Sequence, residues 1–509
     1  MTILEKIKEN AFSHPSKAAI TEAASSGEYN SLTWEELDSF SDKLALYIYK
    51  TQKDKKPIIV YGHKNPYMVV CFLACVKAGK AYCPVDINVP VARVEKIINS
   101  VDPEIIFCTE ELNINNCNIR SLESIKSIIK DTEDVIPKDC YVNKEDVFYI
   151  IFTSGSTGNP KGVQITRDCL DNFIKWAATL GSGCSSNTHY TFINQAPFSF
   201  DLSVMDLYLS LYTGGTLWCL TKELQTDMKE LYKSLAASGG GKWISTPSFA
   251  DVCLSDPLFS QELMPCLTDF LFCGEVLTNK TADRLRERFP KAHVVNTYGP
   301  TESTCAVTSL DITVEVSSCY NPLPVGRTKP GTWIEIWGDN DDPLDEGQQG
   351  EIVIIGDSVS AGYWDNNELN SRSFGMRRIG SCDYRYYRTG DAGFFSEDIL
   401  FYCGRIDLQV KLHGYRIEIE DIESNLLKIP GVTQAVVIPK YRDGKVSSLV
   451  AGVVISEPIS DEKESVKNIK TQLRTNLPDY MIPKKIRFLS AIPMTNNGKA
   501  DRKAAGELL

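Results

Sequence analysis

Histidine is scarce, with five in 509 residues, and no two of the 16 cysteines stand in a C-x-x-C spacing. Zinc-finger-like sites need such ligands at short intervals, so metal clusters of that kind are not expected. Cys71 and Cys75 lie four apart in an apolar helical pattern and the others are scattered singly. That is the usage of reduced cysteines acting as small hydrophobes, not of a disulfide framework. Positive charge is also short: 54 Lys and Arg against 66 Asp and Glu give a net charge of −12. No basic run stands out, which argues against nucleic acid or an anionic membrane surface as partner. The longest apolar run, residues 67–76, ends at Lys77, well short of the ~20 residues a spanning helix needs. Residues 1–7 are amphipathic and mixed in charge, unlike a signal peptide. A cytoplasmic protein without stable membrane insertion is the expectation. Hydrophobic content of 43% and charged content of 24% are ordinary for globular chains, and the length calls for two or more domains.

Against that background one stretch stands out. The strand-like run Val147-Phe148-Tyr149-Ile150-Ile151-Phe152 empties into Thr153-Ser154-Gly155-Ser156-Thr157-Gly158-Asn159-Pro160-Lys161-Gly162. Glycines let backbone N–H groups approach an anion, hydroxyls add donors and the lysine adds charge, so the loop is suited to phosphate. It is not the common P-loop, G-x-x-x-x-G-K-[ST]. Counted from Gly155, Pro160 stands where that template needs its second Gly, and Gly162 where it needs Ser or Thr.

Strands alternate with helices over most of the chain, which predicts parallel α/β sheets. Thr33-Trp34-Glu35-Glu36 is a capping box, 57–61 reads as a buried strand, and 68–76 reads as a helix closed by Gly79. Further strands are expected at 215–220, 242–245, 270–273 and 292–296, with helices at 226–237 and after Thr278. After about Pro322 short strands between Gly-rich turns suggest an antiparallel β region. Beyond Arg405 a small α+β unit is predicted: a hairpin at 409–415, helices at 420–427 and 465–477, and strands at 435–438 and 449–455. The predicted division is therefore 1–405 and 406–509.

Several other clusters could carry chemistry. Asn296-Thr297-Tyr298-Gly299-Pro300-Thr301-Glu302 follows a strand; Tyr298 offers a face for a base and Glu302 a hard oxygen for Mg²⁺, although alone it reads equally as a Gly-Pro turn before a surface Glu. Arg388-Thr389-Gly390-Asp391 puts a carboxylate after an expected tight turn, fit for a ribose diol or simply for the turn. Tyr402-Cys403-Gly404-Arg405 sets a guanidinium after a glycine. Asp201, between aromatics and at the start of an expected helix ending at Gly214, is either an N-cap or the counter-ion of a substrate ammonium, and the two roles are compatible. Lys499 follows Gly498 in a basic tail, which by itself reads as solvated surface.

Taken in order, the 153–162 loop, the 296–302 block, the turn 387–391, Gly404-Arg405-Ile406-Asp407 and Gly498-Lys499 resemble the adenylate-forming (AMP-binding) enzymes over nearly the whole chain. Within that superfamily the stretches 194–208, 270–277 and 411–416 are similar to the ligases that load D-alanine onto a carrier protein. The resemblance implies a large N-terminal domain of two α/β subdomains plus a small β-barrel-like region, followed by a small mobile α+β C-terminal domain. It implies that Thr153, Ser154, Gly155, Ser156 and Thr157 meet the phosphates of ATP, with Lys161 as an aid. Asn296, Thr297, Tyr298, Gly299, Pro300 and Thr301 would frame adenine and phosphate, Asp391 would grip the ribose, and Tyr402, Cys403, Gly404 and Arg405 would line the nucleotide. Glu302 would hold Mg²⁺, and Lys499 would bridge the substrate carboxylate and α-phosphate as the catalytic cation. Asp201 would bind the substrate ammonium, Cys273 and Cys305 would line the amino-acid pocket, and Asp407 would be the hinge. Position 305 is usually aliphatic in this family and is Cys here, and Ala500 replaces a larger aliphatic. The acceptor, a phosphopantetheinylated D-alanyl carrier protein, would come in trans, with teichoic acid as the downstream acceptor. An acyl-CoA ligase on the same scaffold, a kinase or ATPase, and a non-catalytic nucleotide-binding module remain as alternatives. Asp201, the broken P-loop template, the missing H-R-D motif and Lys499 speak against them in turn.

Overall fold

The computed structural model describes residues 1–24, 27, 29–155, 159–185, 188–456, 461–494 and 500–509. The chain forms two compact units, one of residues 1–87, 101–151 and 162–404, the other of 88–100, 152–161 and 405–509.

Three sheets run through the first unit. The largest has nine strands in the order Arg327–Thr328, Thr308–Asp311, His293–Tyr298, Asp269–Phe272, Lys242–Ser245, Thr191–Asn194, Thr216–Leu220, Ala18–Ala23, Tyr29–Thr33. From His293–Tyr298 to Ala18–Ala23 all neighbours are parallel, and the flanking strands are antiparallel. The central strands are buried and continuously apolar, as in Phe270-Leu271-Phe272, which is the pattern of a sheet covered on both faces. Parallel strands put their carboxyl ends on one edge, where ligands of open α/β sheets bind. Here that edge is followed by segment 195–201, by Cys273 and by 299–305.

The second sheet orders seven strands as Gly362–Tyr363, Lys161–Thr166, Val147–Thr153, Tyr82–Asp86, Ile58–Gly62, Ile106–Cys108, Ile119–Ser121. Helices of this unit start and stop where the sequence signals them. Trp34–Thr51 opens on a capping box with both reciprocal Thr33–Glu36 bonds made. Pro66–Lys77 is buried on all sides and is followed by Gly79 at φ +75°. Leu202–Thr213 ends on Gly214, also at φ +75°.

The third sheet pairs Thr332–Trp337, Gly350–Gly356, Cys382–Ser396 and Phe374–Ile379, with Ile399–Arg405 added to Cys382–Ser396. This corrects the expectation of a tight turn at 388–391, because these residues lie inside the long strand Cys382–Ser396. The register jumps from Glu351↔Ala392 to Val353↔Arg388, so Thr389, Gly390 and Asp391 oppose Ile352 alone. Gly390 takes φ +67° in this bulge. Glu351 braces it: its carboxylate accepts from the Gly390 N–H at 3.0 Å and from Arg388 at 2.9 and 2.6 Å.

The second unit has its own core, including Ile422, Leu426, Val437, Leu449, Val453 and Leu473. A hairpin of Gln409–Leu412 and Tyr415–Glu418 turns at His413 and Gly414, both at positive φ, as a two-residue hairpin loop favours. Val432–Arg442, Lys445–Ile455 and Lys485–Phe488 form a sheet, with helices Ile419–Leu427, Glu462–Arg474 and Arg502–Leu508. Among the described residues no helix is long and apolar enough to cross a membrane.

Glu351→Ala removes charge-assisted bonds from the bulge and is expected to cost about 2 kcal/mol, read as a lowered midpoint in urea unfolding. An unchanged midpoint would show that the bulge holds without it.

Candidate active site

Three carboxylates from the motifs meet hydroxyls in the first unit. Asp201 stands at the N-cap position of Leu202–Thr213, yet its side chain makes no capping bond. It accepts instead from Thr301 Oγ1 at 2.6 Å. Glu302 is fully buried, and its Oε1 accepts from the Tyr363 hydroxyl at 2.6 Å. Asp391, on the bulge, accepts from the Tyr298 hydroxyl at 2.6 Å. Thus the 296–302 block contributes to all three, and the sheet edge brings Asp201, Glu302 and Asp391 into contact with one connected segment.

The block itself is tightly held. Asn296 Nδ2 donates to the Pro324 carbonyl and Thr297 Oγ1 to the Phe272 carbonyl, each at 2.8 Å. A Cβ on Gly299 would lie 2.6 Å from the Ala306 Cα, so the backbone crossing there admits glycine only. Pro300 is half-buried. Thr304 and Cys305 are consecutive non-glycine residues at φ +58° and +68°, a strained conformation of the kind that clusters at ligand sites.

Tyr298 was expected to offer an open ring face. Its ring is buried, with Tyr402 tilted against it at a centroid distance of 6.0 Å. Burial pushes the Tyr298 phenol well up, and the charge of Asp391 adds to this, so the hydroxyl stays a donor. Cys273 and Cys305 are both buried, and Cys273 Sγ donates to the Cys305 carbonyl at 3.5 Å. The Cys305 thiol is pushed well up by its contact with the Cys273 thiol and by burial, with Asp201 and Asp206 adding charge. It is therefore a protonated, small, apolar wall. Tyr149 joins the same neighbourhood: burial raises its phenol, and Cys305 and Asp201 raise it further.

Other candidates lie elsewhere. In the second unit Thr153 Oγ1 donates to the Lys161 carbonyl at 3.5 Å, and Ser154 Oγ donates to the Arg416 carbonyl at 2.8 Å. Lys161 Nζ is 3.3 Å from Glu418 Oε1. Gly155 has the Asn159 carbonyl where a Cβ would be. Arg405 Nε donates to Asp407 at 2.8 Å, and this guanidinium keeps the Asp407 carboxyl below its usual range despite the opposing effect of burial. Cys403 is exposed and Gly404 takes φ +109°. Ser156, Thr157 and Lys499 lie outside the described residues.

A family model for AMP-binding enzymes matches residues 7–364. The chain belongs to the AMP-binding enzyme family. The model of that family's C-terminal domain matches residues 421–499. The D-alanine–D-alanyl carrier protein ligase of Bacillus cytotoxicus is 45% identical over 99% of this chain and 98% of its own length. The ligase of the same name from Listeria monocytogenes is 46% identical over 93% of both. Among solved structures, the Vibrio cholerae adenylation domain AlmE, crystallised with glycyl-adenosine-5′-phosphate, superposes with a TM-score of 0.82 at 20% identity, covering 99% of this chain and 97% of that one. The chain is thus an AMP-binding ligase that uses ATP, on the large-plus-small α/β scaffold the resemblance implied.

Whether the residues suit a magnesium ion can be tested on Glu302. Mg²⁺ beside phosphates needs only one or two carboxylates and keeps several waters. Among the described residues no group of three or more His, Cys, Asp or Glu could hold a metal. A single buried carboxylate whose orientation is set by Tyr363 therefore fits a cation that is otherwise held by substrate oxygens.

Tyr298→Phe deletes the hydroxyl that aims Asp391 and should weaken AMP binding about fivefold, the effect of one hydrogen bond. Calorimetric titration with AMP checks this, and wild-type affinity would mean that Asp391 is aimed by other contacts.

Proposed function

We propose that this AMP-binding ligase activates D-alanine as D-alanyl-adenylate, releasing pyrophosphate, and then transfers the D-alanyl group to the phosphopantetheine thiol of a separate D-alanyl carrier protein, releasing AMP, for D-alanylation of teichoic or lipoteichoic acid. The observation that carries this reading is near-full-length identity of about 45% to ligases of that name, together with an oriented carboxylate at Asp201.

The reading assigns the parts as follows. A carboxylate oxygen of D-alanine attacks the α-phosphorus of ATP, the bond to the β-phosphate oxygen breaks, and pyrophosphate leaves. No protein nucleophile is needed, so catalysis is positioning plus electrostatics. Asp201 pairs with the substrate ammonium; at its N-cap position the positive end of the helix dipole favours a carboxylate, and Thr301 Oγ1 donates to it. The buried Cys273 and Cys305 are small side chains suited to stand against the methyl group of D-alanine. Asp391 takes the ribose hydroxyls, since a carboxylate oxygen has lone pairs for both Tyr298 and a ligand. The 153–157 hydroxyls and amides take the phosphates, with Lys161 beside them, and Tyr402 to Arg405 line the nucleotide. Magnesium, held by Glu302 and phosphate oxygens, would supply positive charge against the phosphates. Lys499 is the cation shared by substrate carboxylate and α-phosphate, and Asp407 is the hinge between domains divided at 405/406. An acyl-CoA ligase is disfavoured because a fatty or aryl acid brings no ammonium to pair with Asp201.

Amino-acid-dependent ATP–pyrophosphate exchange across D-alanine, L-alanine, glycine, D-serine and acetate tests the reading. D-alanine is expected to give the highest kcat/KM. Preference for acetate would overturn the amino-acid assignment, and preference for L-alanine only the handedness.

A further inference from the structure

Lys64 is fully buried between strand Ile58–Gly62 and helix Pro66–Lys77. Its amine donates to Asn194 Oδ1 and to the Ala196 carbonyl, and it lies 4.8 Å from the centre of the Phe198 ring. Asn194 ends a parallel strand, and its Nδ2 donates to Asp206 Oδ1 at 2.8 Å. Asp206 is fully buried in helix Leu202–Thr213, which Asp201 precedes. One amine thus joins a strand end, the loop after it and the helix that follows. From there the path to Asp201 is bonded at each step: Phe200 N–H to the Pro197 carbonyl at 2.9 Å, Ser203 Oγ to the Phe200 carbonyl at 2.7 Å, and Val204 N–H to the Asp201 carbonyl at 2.9 Å.

Burial pushes the Lys64 amine down and the Asp206 carboxyl well up. An apolar side chain of the same length would leave the buried Asn194 Oδ1 and Ala196 carbonyl without this donor, so the amine acts as a link and not as a space filler. With two oxygen acceptors and a ring face, the buried amine ties the strand end to the loop that follows it. Asp201, at the end of this segment, accepts from Thr301 Oγ1 of the 296–302 block at 2.6 Å.

We propose that Lys64 is a positioning residue of the substrate-ammonium site, fixing the 194–201 segment so that Asp201 is held where the amine binds. The inference rests on the reading of Asp201 given above. Exchange assays on the full chain test it, with KM for D-alanine and for ATP measured separately. Lys64→Met is expected to lower the unfolding midpoint, because two buried acceptors lose this donor, to raise the D-alanine KM about tenfold and to leave the ATP KM within about twofold, since misplacement of a binding group is felt only at the site it serves. A purely structural role would move both KM values together or neither. Unchanged or equally raised KM values in a folded variant overturn the proposal. If Lys64→Met does not fold, Asn194→Ser decides on the same split, at about threefold. Asp201→Asn separates the two readings. If it leaves the D-alanine KM unchanged, the ammonium assignment fails and this inference fails with it. If it raises that KM and Lys64→Met does not, only the role of Lys64 fails.

Discussion

A carboxylate withdrawn from water needs hydrogen bonds, and at this site hydroxyls supply them. Asp201, Glu302 and Asp391 each accept one at 2.6 Å, from Thr301, Tyr363 and Tyr298. A hydroxyl donates one hydrogen bond to a carboxylate and leaves it further lone pairs for a ligand. An ammonium, a magnesium ion and a ribose diol are three ligands that want such a group. The positions of these acids follow from where their hydroxyl partners are held, and those partners sit on different elements.

The elements meet because of sheet topology. Parallel strands Thr191–Asn194, Asp269–Phe272 and His293–Tyr298 end on one edge and release segment 195–201, Cys273 and the 299–305 loop there. Asp391 reaches Tyr298 from a separate sheet only because three residues of its strand oppose one. Gly390 and Glu351 stabilise that bulge, and Gly299 lets the 299–306 backbone cross closely. Thr304, Cys305 and Gly390 take positive φ beside the candidate site residues, where strain is offset by the rigid sheet around it.

Local signals were legible in the sequence and distant partners were not. The Thr33 capping box, Gly79, Gly214 and the buried strand before the 153–162 loop all act within a few residues, so pattern alone predicts them. Asp201 was half legible: its helix was evident, but its bond to Thr301 spans 100 positions. Thr389-Gly390-Asp391 has the composition of a turn, and only pairing with Gly350–Gly356 reveals a bulge. Tyr363 and Glu351 carry no local mark, because their partners are 61 and 39 positions away. Strand Tyr82–Asp86 hid behind Pro84, which usually signals an edge. Its pairing with Val147–Thr153 is confined to Tyr82↔Tyr149, before the proline.

The central claim is that hydroxyl-oriented carboxylates divide the substrate between them. A crystal structure with a non-hydrolysable D-alanyl-adenylate analogue and magnesium tests it most directly. The account predicts the ammonium nitrogen about 3 Å from Asp201, the ribose hydroxyls on Asp391 and the metal on Glu302. An ammonium turned away from Asp201, with the ribose bound elsewhere, would contradict it.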